Sequence, residues 1–412
     1  MTDCCTQPGL IPIETARATL LRDMIPVEDT ETIPLAQACG RVLAAPQIAG
    51  INLPPCDNSA MDGYALRFAD LEDGKPLRLA GSAFAGRPFS GEVAPGTCVR
   101  IMTGAALPAG ADTVVMQEQV ERQGKSVFVH GTLRRGEHIR RRGEDVAEGD
   151  ALLDAGTRLS VARIALLAAV GIGVVTVHRR PVIALFSTGD ELRPPGAALG
   201  NGEIYDCNRT ALLAALTQLG VDTLDLGILP DDKAIIREKL ARAARDADAI
   251  ITSGGVSVGD ADYTREVLEE MGRVNFWKVA MKPGKPFAYG HLQGTPFFGL
   301  PGNPVSALIT FQQLVVPALT AMQGGTWCPP VPLRAKLGKA LKKKPGRTDF
   351  QRGIYRRDPA GGLSVEPAGN QGSHILSGLA EANCLIILPR DSGNADSGDS
   401  VAIEPLGVPL AP

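Results

Sequence analysis

The sequence predicts an α/β multidomain protein, with a doubly wound α/β domain, an inserted β-rich domain, a discontinuous helical and extended domain, and a C-terminal barrel-like β domain. Three observations carry this reading. The chain has 412 residues, more than one hydrophobic core normally serves. From residue 174 onward, short apolar runs alternate with segments of helical spacing, as a sheet with crossover helices requires. Residues 46–143 and the chain beyond Cys328 instead break into strand-length runs separated by Gly and Pro clusters.

In chain order, apolar positions from Ile13 to Ile25 recur at helical spacing, and Pro26 closes that helix. Residues 46–143 carry β-like runs such as Thr113 to Met116 and Ser126 to His130. Ser160 can cap a second apolar helix through Ala169, free to pack on the first across the insertion. The expected divisions are therefore 1–45 with 144–178, then 46–143, 179–328 and 329–412. Within the third, the expected elements begin with the strand Val182 to Phe186, the helix Arg209 to Leu219 and a strand near Thr223 to Gly227. The helix Lys233 to Arg245, the strand Ala249 to Thr252 and the helix Tyr263 to Met271 follow. A strand ending at Met281, a strand Pro296 to Leu300 and a helix Pro304 to Met322 close a parallel, doubly wound domain. Turns at Pro345-Gly346 and Gly361-Gly362 mark the last division, and the chain shows no repeat of fixed period.

Composition narrows the function. The chain is 44% hydrophobic and 21% charged, which describes neither a disordered nor a membrane protein. Its 42 Lys and Arg against 45 Asp and Glu give a net charge of -3, so no basic field exists to hold nucleic acid. The eight cysteines, at 4, 5, 39, 56, 98, 207, 328 and 384, form no CxxC pair and read as free thiols. The start has no basic segment or apolar run of a secretory leader, and the stretch Ile164 to Val177 is too short to span a bilayer. A cytoplasmic location is expected.

In such a sheet ligands bind beyond the carboxyl ends of the strands, where three loops stand out. Ser187-Thr188-Gly189-Asp190-Glu191-Leu192 sets two carboxylates after a glycine. TSGGVSVGDADY, 252–263, precedes a helix, so backbone amides around Gly254, Gly255 and Ser257 can form an anion nest. GLPGNP, 299–304, again joins strand to helix through Pro301. A glycine turn or a helix cap explains any one of these loops; three in one sheet favour a phosphate-bearing ligand. No GxGxxG follows the first strand and no Walker sequence exists. MKPGKP, 281–286, places Lys282 and Lys285 about a rigid turn that suits an oxyanion. In NSAMDGYA, 58–65, Asp62 is expected to be buried between Met61 and a turn glycine, and Arg140 to Arg142 to form a mixed lip with Asp145.

With IMTGAALPAGADTVVMQE at 101–118, RRGEDV at 141–146 and GLPGNPVS at 299–306, these motifs occur in an order that closely resembles the MoeA-type molybdopterin molybdenumtransferase family, which includes the C-terminal domain of gephyrin. The resemblance covers essentially the whole chain and implies the four-part fold, with the split domain serving dimerisation and the α/β domain binding molybdopterin. It implies a homodimer that takes adenylylated molybdopterin and molybdate, cleaves the adenylate with Mg²⁺ and leaves molybdenum on the pterin dithiolene. By the same resemblance Asp62, Asp145 and Glu191 are the essential carboxylates, and Asp231, Asp260 and Asp262 further acidic positions near the cleft. Glu191, Asp145 and Asp231 are the expected metal ligands. Thr103, Ser187, Thr188, Gly189, Lys278, Pro301 and Ser306 are expected at the substrate, with Lys282, Lys285, Ser306 and Arg352 donating to molybdate. Asp62 and Asp145 are expected to complete the cleft of the opposite subunit. A molybdopterin adenylyltransferase is a possible partner. An adenylyltransferase-like activity and a gephyrin-like scaffold are the alternatives.

Overall fold

The computed structural model describes residues 9–72, 74–255, 263–358 and 361–407. A seven-stranded sheet runs in the order Leu10–Ile11, Gly272–Val279, Pro286–Leu292, Thr295–Leu300, Ala249–Ser253, Val182–Thr188, Asp222–Leu229. The last four are parallel neighbours, whereas Gly272–Val279, Pro286–Leu292 and Thr295–Leu300 are paired antiparallel. The sheet is therefore mixed rather than parallel throughout, and the strand Pro286–Leu292 lies where the sequence reading placed none. Helices cover both faces. Ile13–Asp23, Cys207–Leu219 and the long helix after Pro304 pack on one side, through Leu20, Leu216 and Leu319. Lys233–Asp246 and Tyr263–Met271 pack on the other, through Leu240 and Leu268.

Several ends differ from expectation for local reasons. The first helix stops at Asp23, because Met24 is already extended ahead of Pro26. Cys207–Leu219 begins two residues before Arg209, since Asp206 caps it by accepting from Arg209 N. The strand expected to end at Met281 ends at Val279; Met281–Lys282 pairs instead with Thr348 and Asp349 of the C-terminal sheet. Among the described residues, one helix, Pro304–Met322, is long and apolar enough to cross a membrane. Its mean hydropathy is 1.5, yet 78% of it is buried within the fold. A π turn at Phe311–Val315 interrupts this helix.

Short ladders join Thr30–Pro34 to Val174–His178 and Gln47–Ile48 to Ala151–Leu153, across the intervening chain. That chain holds a six-stranded sheet spanning Gly63 to Val129. Ser160 caps Val161–Ala169 through Arg163 N. At the C-terminal end, Thr348–Arg357 pairs with both Leu363–Pro367 and Cys384–Leu388, which closes five strands of the six-stranded sheet into a ring, with Met281–Lys282 added at its edge.

Candidate active site

Among the parallel strands, Val182–Thr188 comes first in the chain and lies between the second, Asp222–Leu229, and the third, Ala249–Ser253. Chain connections leave Val182–Thr188 and Ala249–Ser253 in opposite directions, so the crevice between their carboxyl ends is the topological switch point, where open α/β sheets bind ligands. Two of the three loops singled out in the sequence flank it.

On one side, Ser187 and Thr188 are buried at the strand end. Gly189 has φ +143°, and a Cβ there would lie 2.5 Å from Glu191 Oε2, so the missing side chain lets Glu191 fold back over the turn. The Asp190 carboxylate accepts from Asp231 N at 3.3 Å, which brings in the end of Asp222–Leu229. Partial burial, then the charges of Asp190 and Glu191, push the Asp231 carboxyl above its ordinary range. On the other side, Gly254 and Gly255 adopt φ +93° and +65°. A Cβ on Gly255 would come within 2.8 Å of Thr188 Oγ1 and 3.0 Å of Thr264. Ser257, Asp260 and Asp262 lie outside the described residues.

The oxyanion candidates fall at the seam between the sheet and the C-terminal barrel. Lys282 Nζ lies 3.3 Å from Asp349 Oδ2, and Asp349 is almost fully buried. Gly284 closes the Pro-Gly turn at φ +102°, where a Cβ would strike Thr310 Oγ1, and Lys285 O accepts from Val279 N. Lys278 is exposed on the strand Gly272–Val279. Pro301 is buried in its loop. Ser306 is buried in the first turn of the next helix, whose Val305 N donates to Ser373 O of the C-terminal domain. Arg352 is 1% exposed. Its Nη2 donates to Asn370 O at 2.6 Å, but its Nε has no hydrogen-bond partner among the described residues. Burial holds this guanidinium below its ordinary value, with Asp349 opposing.

The inserted sheet departs from the sequence reading at three points. Asp62 is not buried; its Oδ1 accepts from both Thr103 N and Thr103 Oγ1 at 2.7 Å, and these bonds hold the carboxyl below the usual range. Gly63 is a strand residue rather than a turn glycine, and a Cβ on it would sit 1.8 Å from Val115 O. The arginine run serves Asp57 rather than Asp145: Arg141 Nη1 bonds Asp57 Oδ2 at 2.7 Å and Arg142 N bonds Asp57 Oδ1 at 2.8 Å. Asp145 is exposed just past the turn in which Arg141 N donates to Glu144 Oε2. A short duplication lies here, RRGEHI at 134–139 and RRGEDV at 141–146, and carried no expectation. In the first copy, Arg134 N donates to Glu137 Oε2 in the same way.

Among the described residues, no hydrogen bond or ion pair ties Asp62 or Asp145 to the switch point. No three Asp, Glu, His or Cys side chains converge there into a chelating group. Two neighbours of the site carried no sequence expectation. Asp206, 2% exposed, accepts from Ser187 Oγ, and Asn208 donates to Ser253 Oγ and Gly302 O. Their signal was Asp-Cys-Asn directly before a helical run, an N-cap pattern.

Fold and rim together define a multidomain α/β protein whose doubly wound sheet carries left-handed glycines and exposed acidic residues on the loops at the carboxyl ends of its parallel strands. Residues 11–171 match the MoeA N-terminal region (domain I and II), 184–321 the probable molybdopterin binding domain, and 334–406 the MoeA C-terminal region (domain IV). The chain is 45% identical over 398 residues to the molybdopterin molybdenumtransferase of Haemophilus influenzae, covering 96% of this chain and 98% of that one. It is 36% identical to the enzyme of that name from Nostoc, over 91% and 88% of the two chains. The crystal structure of the molybdopterin biosynthesis moeA protein from Pyrococcus horikoshii OT3 superposes with a TM-score of 0.83 at 31% identity, covering 96% of this chain and 99% of that one. The chain belongs to the MoeA family of molybdopterin molybdenumtransferases, transferases of molybdenum cofactor biosynthesis.

Proposed function

We propose that the chain inserts molybdenum from molybdate into adenylylated molybdopterin with release of AMP, acting in the cytoplasm as a homodimer. The observation that carries this reading is that the left-handed Gly254-Gly255 turn and the carboxylates of Asp190, Glu191 and Asp231 follow the carboxyl ends of three neighbouring parallel strands. Backbone amides in a left-handed turn bind phosphate oxygens, and clustered carboxylates need a cation once an anion is beside them.

Mg²⁺ fits this donor set. It is commonly held by one or two carboxylates plus substrate phosphates, so a preformed cage of three is not required. Glu191 and Asp231 are the residues of this rim that would hold it; partial burial, and after it the charges of Asp190 and Glu191, raise the Asp231 carboxyl. When bound, Mg²⁺ stabilises charge on the adenylate being cleaved. Asp145, the third expected ligand, just past the inserted domain, and Asp62 with Thr103 within it would come from the opposite subunit. The Asp62–Thr103 pair keeps that carboxylate ionised. Lys282, Lys285, Ser306 and Arg352 are the proposed molybdate donors. The orphan Nε of Arg352 and the two lysines beside a rigid turn suit a small divalent oxyanion. A molybdopterin adenylyltransferase is the partner suited to hand over such a substrate.

Purified protein incubated with adenylylated molybdopterin and Mg²⁺ should release AMP when molybdate is added. AMP release indifferent to molybdate, or nucleotide transfer onto the pterin instead, would overturn the reading.

A further inference from the structure

Asn208 stands at the second position of the helix Cys207–Leu219, between two loops that come from distant parts of the sequence. Its Nδ2 donates to Ser253 Oγ at 2.8 Å and to Gly302 O at 2.7 Å. Ser253 is the last residue of the strand leading into the Gly254-Gly255 nest, and Gly302 belongs to the GLPGNP loop. A backbone carbonyl can only accept, so the amide nitrogen must face Gly302, and both its hydrogens are used. The helix end bearing Asn208 is itself fixed. The Asp206 carboxylate accepts from Ser187 Oγ, Arg209 N and Arg209 Nε, and Arg209 Nη1 bonds Asp225 at 2.6 Å. One short segment thus reaches the ends of three parallel strands, and among the described residues its side-chain hydrogen bonds to the last two run through the Asn208 amide.

The geometry points to Asn208 as a positioning residue that sets the spacing between the glycine nest and the GLPGNP loop, and so the fit of the phosphate-bearing substrate. This rests on the reading of those loops as the substrate's phosphate site. The Asn208 amide bonds Ser253 and Gly302 and not a proposed molybdate donor, so the two substrates should respond differently. Asn208→Ala removes both bonds. Asn208→Asp keeps the volume and can accept from Ser253 Oγ, but it offers no donor to Gly302 O and puts negative charge beside the anion.

The test is steady-state AMP release by the intact protein, with KM measured separately for adenylylated molybdopterin and for molybdate, alongside thermal unfolding. In Asn208→Ala, KM for adenylylated molybdopterin should rise roughly ten- to a hundredfold, the range for a displaced positioning group, with little change in molybdate KM. Asn208→Asp should be worse than Asn208→Ala; a merely structural role gives the opposite order, because Asp conserves the volume. Should Asn208→Ala fail to fold, Asn208→Ser, which keeps one donor, should show a smaller rise of the same selectivity. Unchanged KM in these variants, or equal losses for both substrates, overturns the inference. Gly255→Ala separates the two failures. If it raises the pterin KM while the Asn208 variants do not, Asn208 alone is excluded, and if it too is silent, the phosphate-site reading falls as well.

Discussion

Gly255→Ala is the sharpest probe of the nest, because its cost can be worked from local geometry. At φ +65° any L residue is strained, by about 1 kcal/mol for alanine relative to glycine. The new Cβ would also sit 2.8 Å from Thr188 Oγ1 and 3.0 Å from Thr264, under ordinary contact. Relieving that contact turns Thr188 or Thr264 from its staggered well, at about 0.5–1.5 kcal/mol. If the loop holds this conformation to bind, the sum of about 2 kcal/mol appears as a Kd for adenylylated molybdopterin raised roughly thirtyfold. Equilibrium titration of parent and variant measures it. Gly173→Ala is the control, since its backbone is not left-handed and its Cβ would meet nothing within 4 Å; its affinity should match the parent's. A folded Gly255→Ala protein with parental affinity would refute the assignment of this turn to the ligand.

Neutralising Lys282 to Gln should weaken equilibrium molybdate binding about ten- to a hundredfold and pterin binding far less, with the parent the more salt-sensitive of the two. Identical affinities at two salt concentrations would leave Lys282 as a partner of Asp349 alone. Burial pushes the Glu404 carboxyl above its ordinary value of 4.5, against hydrogen bonds from Gln313 and Gln312 and the charge of Arg17. A raised carboxyl contributes stability at low pH that is lost as pH rises through its folded value. The parent's urea midpoint should therefore fall relative to that of Glu404→Gln as pH rises above 4.5, and a constant difference would contradict the shift. Heterodimers exchanged from a Glu191→Gln chain and an Asp62→Asn chain, each inactive alone, should recover part of the AMP release; no recovery after verified exchange would place the cleft within one subunit.

Where local sequence and tertiary context agree, the fold was legible. The helix Tyr263–Met271 and the strand Thr113–Met116 fall at their expected bounds, and Ser160 caps the helix it was expected to cap. The strand Pro286–Leu292 was hidden by its own composition, beginning with Pro and carrying Gly290. That glycine answers a tertiary demand, since a Cβ there would lie 1.9 Å from Arg273 O of the neighbouring strand. The π turn at Phe311–Val315 leaves the apolar periodicity intact, and its contacts, Gln313 to Glu404 and to Arg17, are long-range. Similar limits governed the site. Strand-end loops are marked by composition, so the Gly189 and Gly254 turns could be read directly. Asp62 beside Met61 suggested burial, but its partner Thr103 is 41 residues away, and only the fold brings the two together. Asn208 acts through two partners at sequence separations of 45 and 94, which no local pattern encodes.

In the proposed reaction, the carboxylates at the switch point hold the metal that supports adenylate cleavage. Single-turnover AMP release from adenylylated molybdopterin, with Mg²⁺ and molybdate, compares the parent with Glu191→Gln, which removes a charge at nearly constant volume. The expected result is a folded variant that still binds the pterin substrate and releases no AMP in response to molybdate. Turnover at the parental rate would contradict the claim.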